Sequence, residues 1–255
     1  MEKIVYMLSY NMHEVDVEIR LNDMHVASSR SCQLGRGQSF LNNCIPFSGE
    51  QQLTFNIISQ EDKEQIEEES HLQMEIICVS VDTETQNIQK YQRVLSINLT
   101  GKDICSGNKY FKAEVPYNLD LGQQSLDISQ YAGIRGKVYS LYFKWNTLIE
   151  QHRYDEILSM LSLHDYNEVT CHYWELTTEE KRMREDDFKD ILDNGYKLVM
   201  PTPEDRLVFY GYGRLVRLVY PDGNPAFVLR NSDGEEYPMD LYMHLPKGSL
   251  ELQII

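Results

Sequence analysis

The residue types that most often hold metal ions or act as nucleophiles are histidine and cysteine, and the chain has seven of the first and five of the second. No histidines form an HxH, HxxxH or HExxH motif, and no cysteines form a CxxC pair. His164, Asp165, Glu168 and His172 lie in one stretch and offer metal-ligand types, but a histidine beside apolar neighbours is more often structural. We therefore expect no metal ion and no other cofactor.

Nucleophilic chemistry has one candidate, Cys171, which is followed directly by His172. Adjacent side chains diverge in a strand or a helix, so this adjacency argues against a working pair, although a distant histidine remains an alternative partner for Cys171. No GxSxG motif is present, and the glycines at Gly35–Gly37 and Gly211–Gly213 complete no phosphate-binding loop. We expect no enzymatic activity, and an enzyme without a recognisable motif stays an alternative.

The charge is strongly one-sided, with 24 basic and 40 acidic side chains and a formal net charge of −16. Such a surface repels the phosphates of nucleic acids and the headgroups of anionic lipids, so we expect neither a nucleic-acid nor a membrane partner. It favours a protein partner with a basic surface, although acidic residues also serve solubility alone.

Two segments concentrate the acidic residues. The run from Glu61 to Glu69 contains only one base, Lys63, and is typical of a loop or a short helix. The second segment is predicted to be a helix from Thr178 to Asp193, because Thr177-x-x-Glu180 fits a capping box and Gly195 fits a helix end. The candidate partner-binding residues are Glu67, Glu68, Glu69, Glu179, Glu180, Glu185, Asp186, Asp187 and Asp190.

The first part of the chain has the pattern of β-strands. Val15, Val17, Ile19 and Leu21 alternate with charged residues, and the turn formers Asn22-Asp23 follow, which predicts a hairpin. Further strands are predicted by similar patterns at 53–57, 74–81, 89–99 and 110–115. Alternating residues from Val138 to Trp145 predict one more strand, buried on one face.

The second part begins with helical spacing. One helix is predicted from about Thr147 to Leu163, and the second is the acidic helix. Alternating segments separated by Pro- and Gly-containing turns then predict a meander that ends at residue 254. The fold class is mainly β (α+β), with an N-terminal antiparallel β-sandwich over 1–146 and an α+β domain over 147–255 that contains two helices and a β-meander. A merged single domain is the alternative.

The order strand, "LND", short strand, loop, "GEQ" turn, strand resembles the beginning of galactose-binding-like β-sandwich domains. Asp23 stands where that family usually has Gly, and Gln51 where it has Asn. The resemblance covers about 40 residues and implies a sandwich, but it does not imply sugar binding, because a fold does not fix function.

The whole chain resembles bacterial immunity proteins of polymorphic-toxin and type VI secretion systems, on the segments "VEIRLND" and "YPMDLYMHLPKGSLELQII". The resemblance implies a protein that binds and neutralises a cognate toxin acting in the cytoplasm. The start MEKIVYMLSY has no signal-peptide pattern, so we expect a cytoplasmic location. The alternative is a carbohydrate- or small-molecule-binding sandwich protein, and the oligomeric state stays open.

Overall fold

The computed structural model describes residues 2–29, 35–58, 68–82, 84–85 and 87–255. The chain divides into two compact units. The first comprises Met1–Leu119 together with Cys171–Tyr173, and the second comprises Asp120–Thr170 together with Trp174–Ile255. The mainly β, α+β fold class is confirmed, because antiparallel strands dominate and only three α-helices are found in the described residues.

The first unit consists of two four-stranded antiparallel sheets, in the orders β4-β1-β6-β7 and β3-β2-β5-β8. The strands are β1 (Glu2–His13), β2 (Val17–Leu21), β3 (Met24–Ser29), β4 (Gly35–Phe40), β5 (Gly49–Ile57), β6 (His71–Asp82), β7 (Ile88–Thr100) and β8 (Gly107–Ala113).

The two sheets share a core because alternate residues of their strands face inward. Leu8 of β1, Leu72 of β6 and Ile19 of β2 are fully buried. The ring of Tyr6 on β1 packs at 5.9 Å from the ring of Phe111 on β8, a strand of the other sheet. The predicted hairpin at Asn22-Asp23 is confirmed, and both residues take the left-handed backbone that such a turn requires.

The second unit contains α1 (Ile134–Glu150), α2 (Tyr154–Cys171), α3 (Thr178–Asp193), β9 (Lys197–Leu198), β10 (Arg206–Tyr210), β11 (Leu215–Val219), β12 (Val228–Arg230), β13 (Glu236–Pro238), β14 (Met243–His244) and β15 (Gln253–Ile254). Its sheets have the orders β10-β11-β14-β15 and β13-β12-β9. The terminal strand β15 pairs with β14, which confirms that the end of the chain joins a sheet.

The prediction of a strand from Val138 to Trp145 is wrong, because these residues lie in helix α1. The buried positions 138, 141, 142, 145, 148 and 149 follow the helical period, not the period of two. Tyr142 and Trp145 both pack on Phe227, with ring centroids 4.9 Å apart in each pair. The β-forming residues of this segment are therefore held in a helix by the core that they fill.

The helix predicted from Thr147 to Leu163 is also wrong in its bounds. Helix α1 ends at Glu150, the chain turns with His152 in a left-handed conformation, and α2 begins at Tyr154. The second unit thus has three helices instead of two, and α1 spans the domain boundary predicted at residue 146. Among the described residues, no helix combines the length and the apolar character needed to cross a membrane.

Candidate partner-binding surface

Helix α3 begins and ends where its sequence signals predict. The side-chain oxygen of Thr177 accepts a hydrogen bond from the backbone N–H of Glu180, at 3.2 Å. The carboxylate of Glu180 in turn accepts bonds from the backbone N–H and the hydroxyl of Thr177, at 2.7 and 2.8 Å. This capping box satisfies donors that the first turn leaves open, and it fixes the direction of the helix.

A narrow apolar stripe holds α3 on the core of the second unit. Phe188 and Leu192, four residues apart, are buried in that core. The ammonium group of Lys189 pairs with the Asp155 carboxylate of α2 at 2.9 Å, and this hydrogen bond raises the pKa of Lys189. These contacts keep the position of the helix constant, so the charges on its outer side are presented in a fixed arrangement.

The outer side of α3 carries an acidic stripe, which we define as Glu179, Met183, Asp186, Asp187 and Asp190. Residues 179, 183, 186 and 190 are spaced i, i+4, i+7 and i+11, and because each residue advances by about 100° they share one helix face. All five side chains are exposed, and Met183 at its centre keeps 53 % of its surface open to solvent.

The carboxylates of the stripe are largely uncompensated. Asp186 lies 3.7 Å from Arg182, whereas Glu179, Asp187 and Asp190 form no ion pair with any residue that the structure describes. Three carboxylates without an ion pair in the described residues therefore lie on the same side of the helix as the exposed thioether of Met183. An apolar centre within a charged rim is the usual anatomy of a protein–protein contact surface.

Two of the six candidate residues on α3 lie outside the acidic stripe. Glu180 is occupied by the capping box, and the bonds from Thr177 lower its pKa. Glu185 lies on the side of the helix that faces α2, where its charge contributes to the raised pKa of Asp165, whose main cause is burial. The sequence does not separate Glu185 from the other four, because that distinction depends on which face of the helix is buried, whereas the capping-box motif already marks Glu180.

The other predicted acidic segment belongs to the first unit. Glu68 and Glu69 are exposed in a turn just before β6. Glu67 lies outside the described residues, as do the rest of the acidic run from Glu61 and its only base. The two candidate segments thus lie in different units of the chain.

Two pairs of side chains resemble parts of a nucleophile–base arrangement. The expectation that Cys171 and His172 diverge is wrong: the Cys171 sulfur lies 3.3 Å from His172 Nδ1, because α2 ends at Cys171 and His172 leaves the helical path. The sulfur is buried and the imidazole stacks on Phe40.

The second pair consists of Ser125 Oγ and His244 Nδ1, which lie 2.7 Å apart in the second unit. Both residues are buried, and burial lowers the pKa of His244, which favours the neutral imidazole. An isolated bridge between Ser125 and Pro246 joins the same two segments. The contact therefore ties the chain before α1 to the end of β14.

A shallow pocket of about 390 Å³ lies between α2 and the C-terminal segment of the second unit. Its wall is mostly polar, with Lys144, Ser159, Ser162 and Glu251 among its lining residues, and Lys144 pairs with Glu251 at 3.2 Å. It lies in the second unit instead of in the sandwich.

Comparison with protein families, with curated proteins and with solved structures finds no match for this chain.

Proposed function

We propose that this protein is an acidic protein-binding module and that its acidic stripe contacts a partner with a basic surface. The observation that carries the proposal is the arrangement of open carboxylates around Met183 on a helix fixed by a capping box and a buried apolar stripe. Opposite charges on the two surfaces accelerate encounter, and the apolar centre supplies contact area that excludes water.

The specific form of the proposal is an immunity protein that binds and neutralises a cognate bacterial toxin acting in the cytoplasm. A toxin that acts on nucleic acid or nucleotides needs basic residues around its active site to hold phosphates, and the acidic stripe complements such residues. The resemblance of two sequence segments to immunity proteins of type VI secretion and polymorphic-toxin systems also supports the proposal of an immunity protein.

The direct test is co-expression with candidate toxin domains, beginning with the product of the neighbouring reading frame if it encodes one. If the proposal holds, the wild-type chain restores growth and elutes with the toxin as one complex in size-exclusion chromatography. A chain in which Glu179, Asp186, Asp187 and Asp190 are changed to Lys should lose the rescue. Absence of both rescue and complex with the wild-type chain would reject the pairing.

A sugar- or small-molecule-binding role is the alternative. It predicts saturable binding of a ligand at the pocket beside α2, and the change Lys144→Ala would weaken that binding. A sugar-utilisation gene cluster around the gene would favour this alternative over the toxin partner.

A further inference from the structure

Two histidines that are distant in sequence face each other across strands of the first unit. His13 is the last residue of β1 and His71 is the first residue of β6, and the antiparallel register places them directly opposite. Residues directly opposite in such a pair have Cβ atoms about 5 Å apart and side chains on the same face of the sheet. The two imidazole rings have centroids 5.4 Å apart, with their planes 36° from parallel.

Each ring has a nitrogen atom whose bonding capacity is unmet. Nδ1 of His13 and Nε2 of His71 are buried, and neither has a hydrogen-bond partner among the residues that the structure describes. A buried nitrogen without a partner costs free energy, and most such groups in native proteins are satisfied by something. Two neighbouring imidazoles therefore share the same deficiency.

The spacing of the rings fits a metal ion held by both. Zinc lies about 2.0–2.1 Å from an imidazole nitrogen, which places the ring centroid about 3 Å from the metal. Two such rings at a tetrahedral angle have centroids about 5 Å apart. The observed 5.4 Å is compatible with this value and also lies within the range of ordinary ring contacts.

The backbone around the pair is fixed on both strands. The hydroxyl of Ser70, which precedes His71, donates a hydrogen bond of 3.2 Å to the carbonyl of Glu14, which follows His13. Glu14 takes a left-handed conformation, and the backbone carbonyl of Ser70 accepts the N–H of Gly101 at 2.8 Å. The two ring-bearing residues are therefore held in register before any ligand arrives.

We propose that His13 and His71 form a two-histidine site for a divalent transition-metal ion of the imidazole-preferring class, Zn²⁺, Ni²⁺ or Cu²⁺. Water molecules complete the coordination shell. The site joins the ends of β1 and β6, so a bound ion links the two strands. This proposal is independent of the proposed function.

The first experiment is calorimetric titration of the full chain, prepared without a histidine tag, with ZnCl₂ and NiCl₂. Wild-type protein should bind one ion. His13→Asn and His71→Asn should each lower the affinity for that ion by at least about tenfold. His164→Asn is the matched control and should leave that ion bound. Equal binding by all four chains, or none by the wild type, would overturn the proposal.

A second experiment uses only the wild-type chain, so it does not depend on folding of a variant. Substoichiometric CuCl₂ should broaden the ring resonances of His13 and His71 together in a ¹⁵N histidine spectrum, before any other histidine. Broadening of another histidine first, or of none, contradicts the site even if the total binding is one ion.

Discussion

The acidic stripe of α3 contrasts with the opposite charge on two strands of the first unit. Helix α3 contains seven acids and four bases, whereas the segment from Ile88 to Ala113, which covers β7 and β8, contains five bases and one acid. We call Lys90, Arg93, Lys102, Lys109 and Lys112 the lysine edge, in which Lys102 lies in the turn between the two strands and the other four lie on them. All five side chains are exposed, and among them only Arg93 has an ion pair in the described part of the chain, with Glu75 at 3.2 Å.

The basic surface lies on two edge strands, whereas the acidic surface lies on a helix. Strands β7 and β8 each pair on one side only in the described structure, so each presents an open row of backbone groups. Charged residues, lysine above all, are the usual protection of such an edge against pairing with another chain. The acidic stripe protects nothing of this kind, because away from its two ends a helix forms its backbone hydrogen bonds internally. The net charge of −16 is therefore spread unevenly, because an acidic surface on α3 and a basic surface on β7 and β8 occur in the same chain.

The largest expected effect on stability comes from replacing the buried phenylalanines that hold α3 and β8 on their cores. Phe188→Ala in α3 and Phe111→Ala in β8 should each lower the free energy of unfolding by about 3 kcal/mol, because each removes a buried aromatic side chain. Urea unfolding followed by circular dichroism measures the change. Phe143→Ala is the matched control on α1, where the ring is 62 % exposed, and should cost less than about 0.5 kcal/mol.

The cap of α3 gives a smaller and more local effect. Thr177→Ala should destabilise by about 1 kcal/mol, because the helix loses the side-chain acceptor for the Glu180 N–H. Ser is the conservative replacement, and Thr177→Ser should retain most of the stability. Equal losses in the two variants would show that the methyl group, and not the hydroxyl, matters.

The capping box of α3 also predicts that the stability of the protein depends on pH. Its bonds lower the pKa of Glu180 below the ordinary value of 4.5, so the carboxylate contributes stability that is present above pH 4.5 and is lost as the pH falls through the lowered pKa. The stability gap between wild type and Glu180→Gln should therefore narrow progressively as urea unfolding is repeated at decreasing pH below 4.5. A constant gap would contradict the bond assignment.

The smallest effect on stability is expected at the lysine edge. Changing Lys90, Lys102, Lys109 and Lys112 to Gln should alter the free energy of unfolding by less than about 0.5 kcal/mol per site, because these side chains are exposed. Self-association should nevertheless increase, as seen by light scattering at rising protein concentration. Unchanged scattering would mean that the lysines have another role.

The elements predicted correctly from sequence are those whose local signals agree with their packing. The hairpin at Asn22-Asp23 and the bounds of α3 follow from turn and cap chemistry within a few residues. Helix α1 was missed because Val138 to Trp145 contains β-formers, and its period of 3.6 is visible only over the whole of Ile134–Glu150. The pair His13 and His71 depends on strand register, which no local motif encodes.

The acidic stripe was predicted only in part for a similar reason. Six acids on one helix could be named from sequence, but the buried face set by Phe188 and Leu192 decides that Glu185 points elsewhere. Occupation of Glu180 by the cap follows directly from the capping-box motif, so sequence alone suffices to set that residue aside.

The central claim is tested most directly by the rate of association with the partner identified by co-expression, measured at low and at high salt. Changing Glu179, Asp186, Asp187 and Asp190 to Lys should slow association at low salt by at least about tenfold and flatten its salt dependence. The control changes Glu84, Asp103, Glu204 and Asp233 to Lys, which gives the same net charge with exposed sites outside α3. The account predicts a much smaller effect for the control, and equal slowing in the two variants would contradict it.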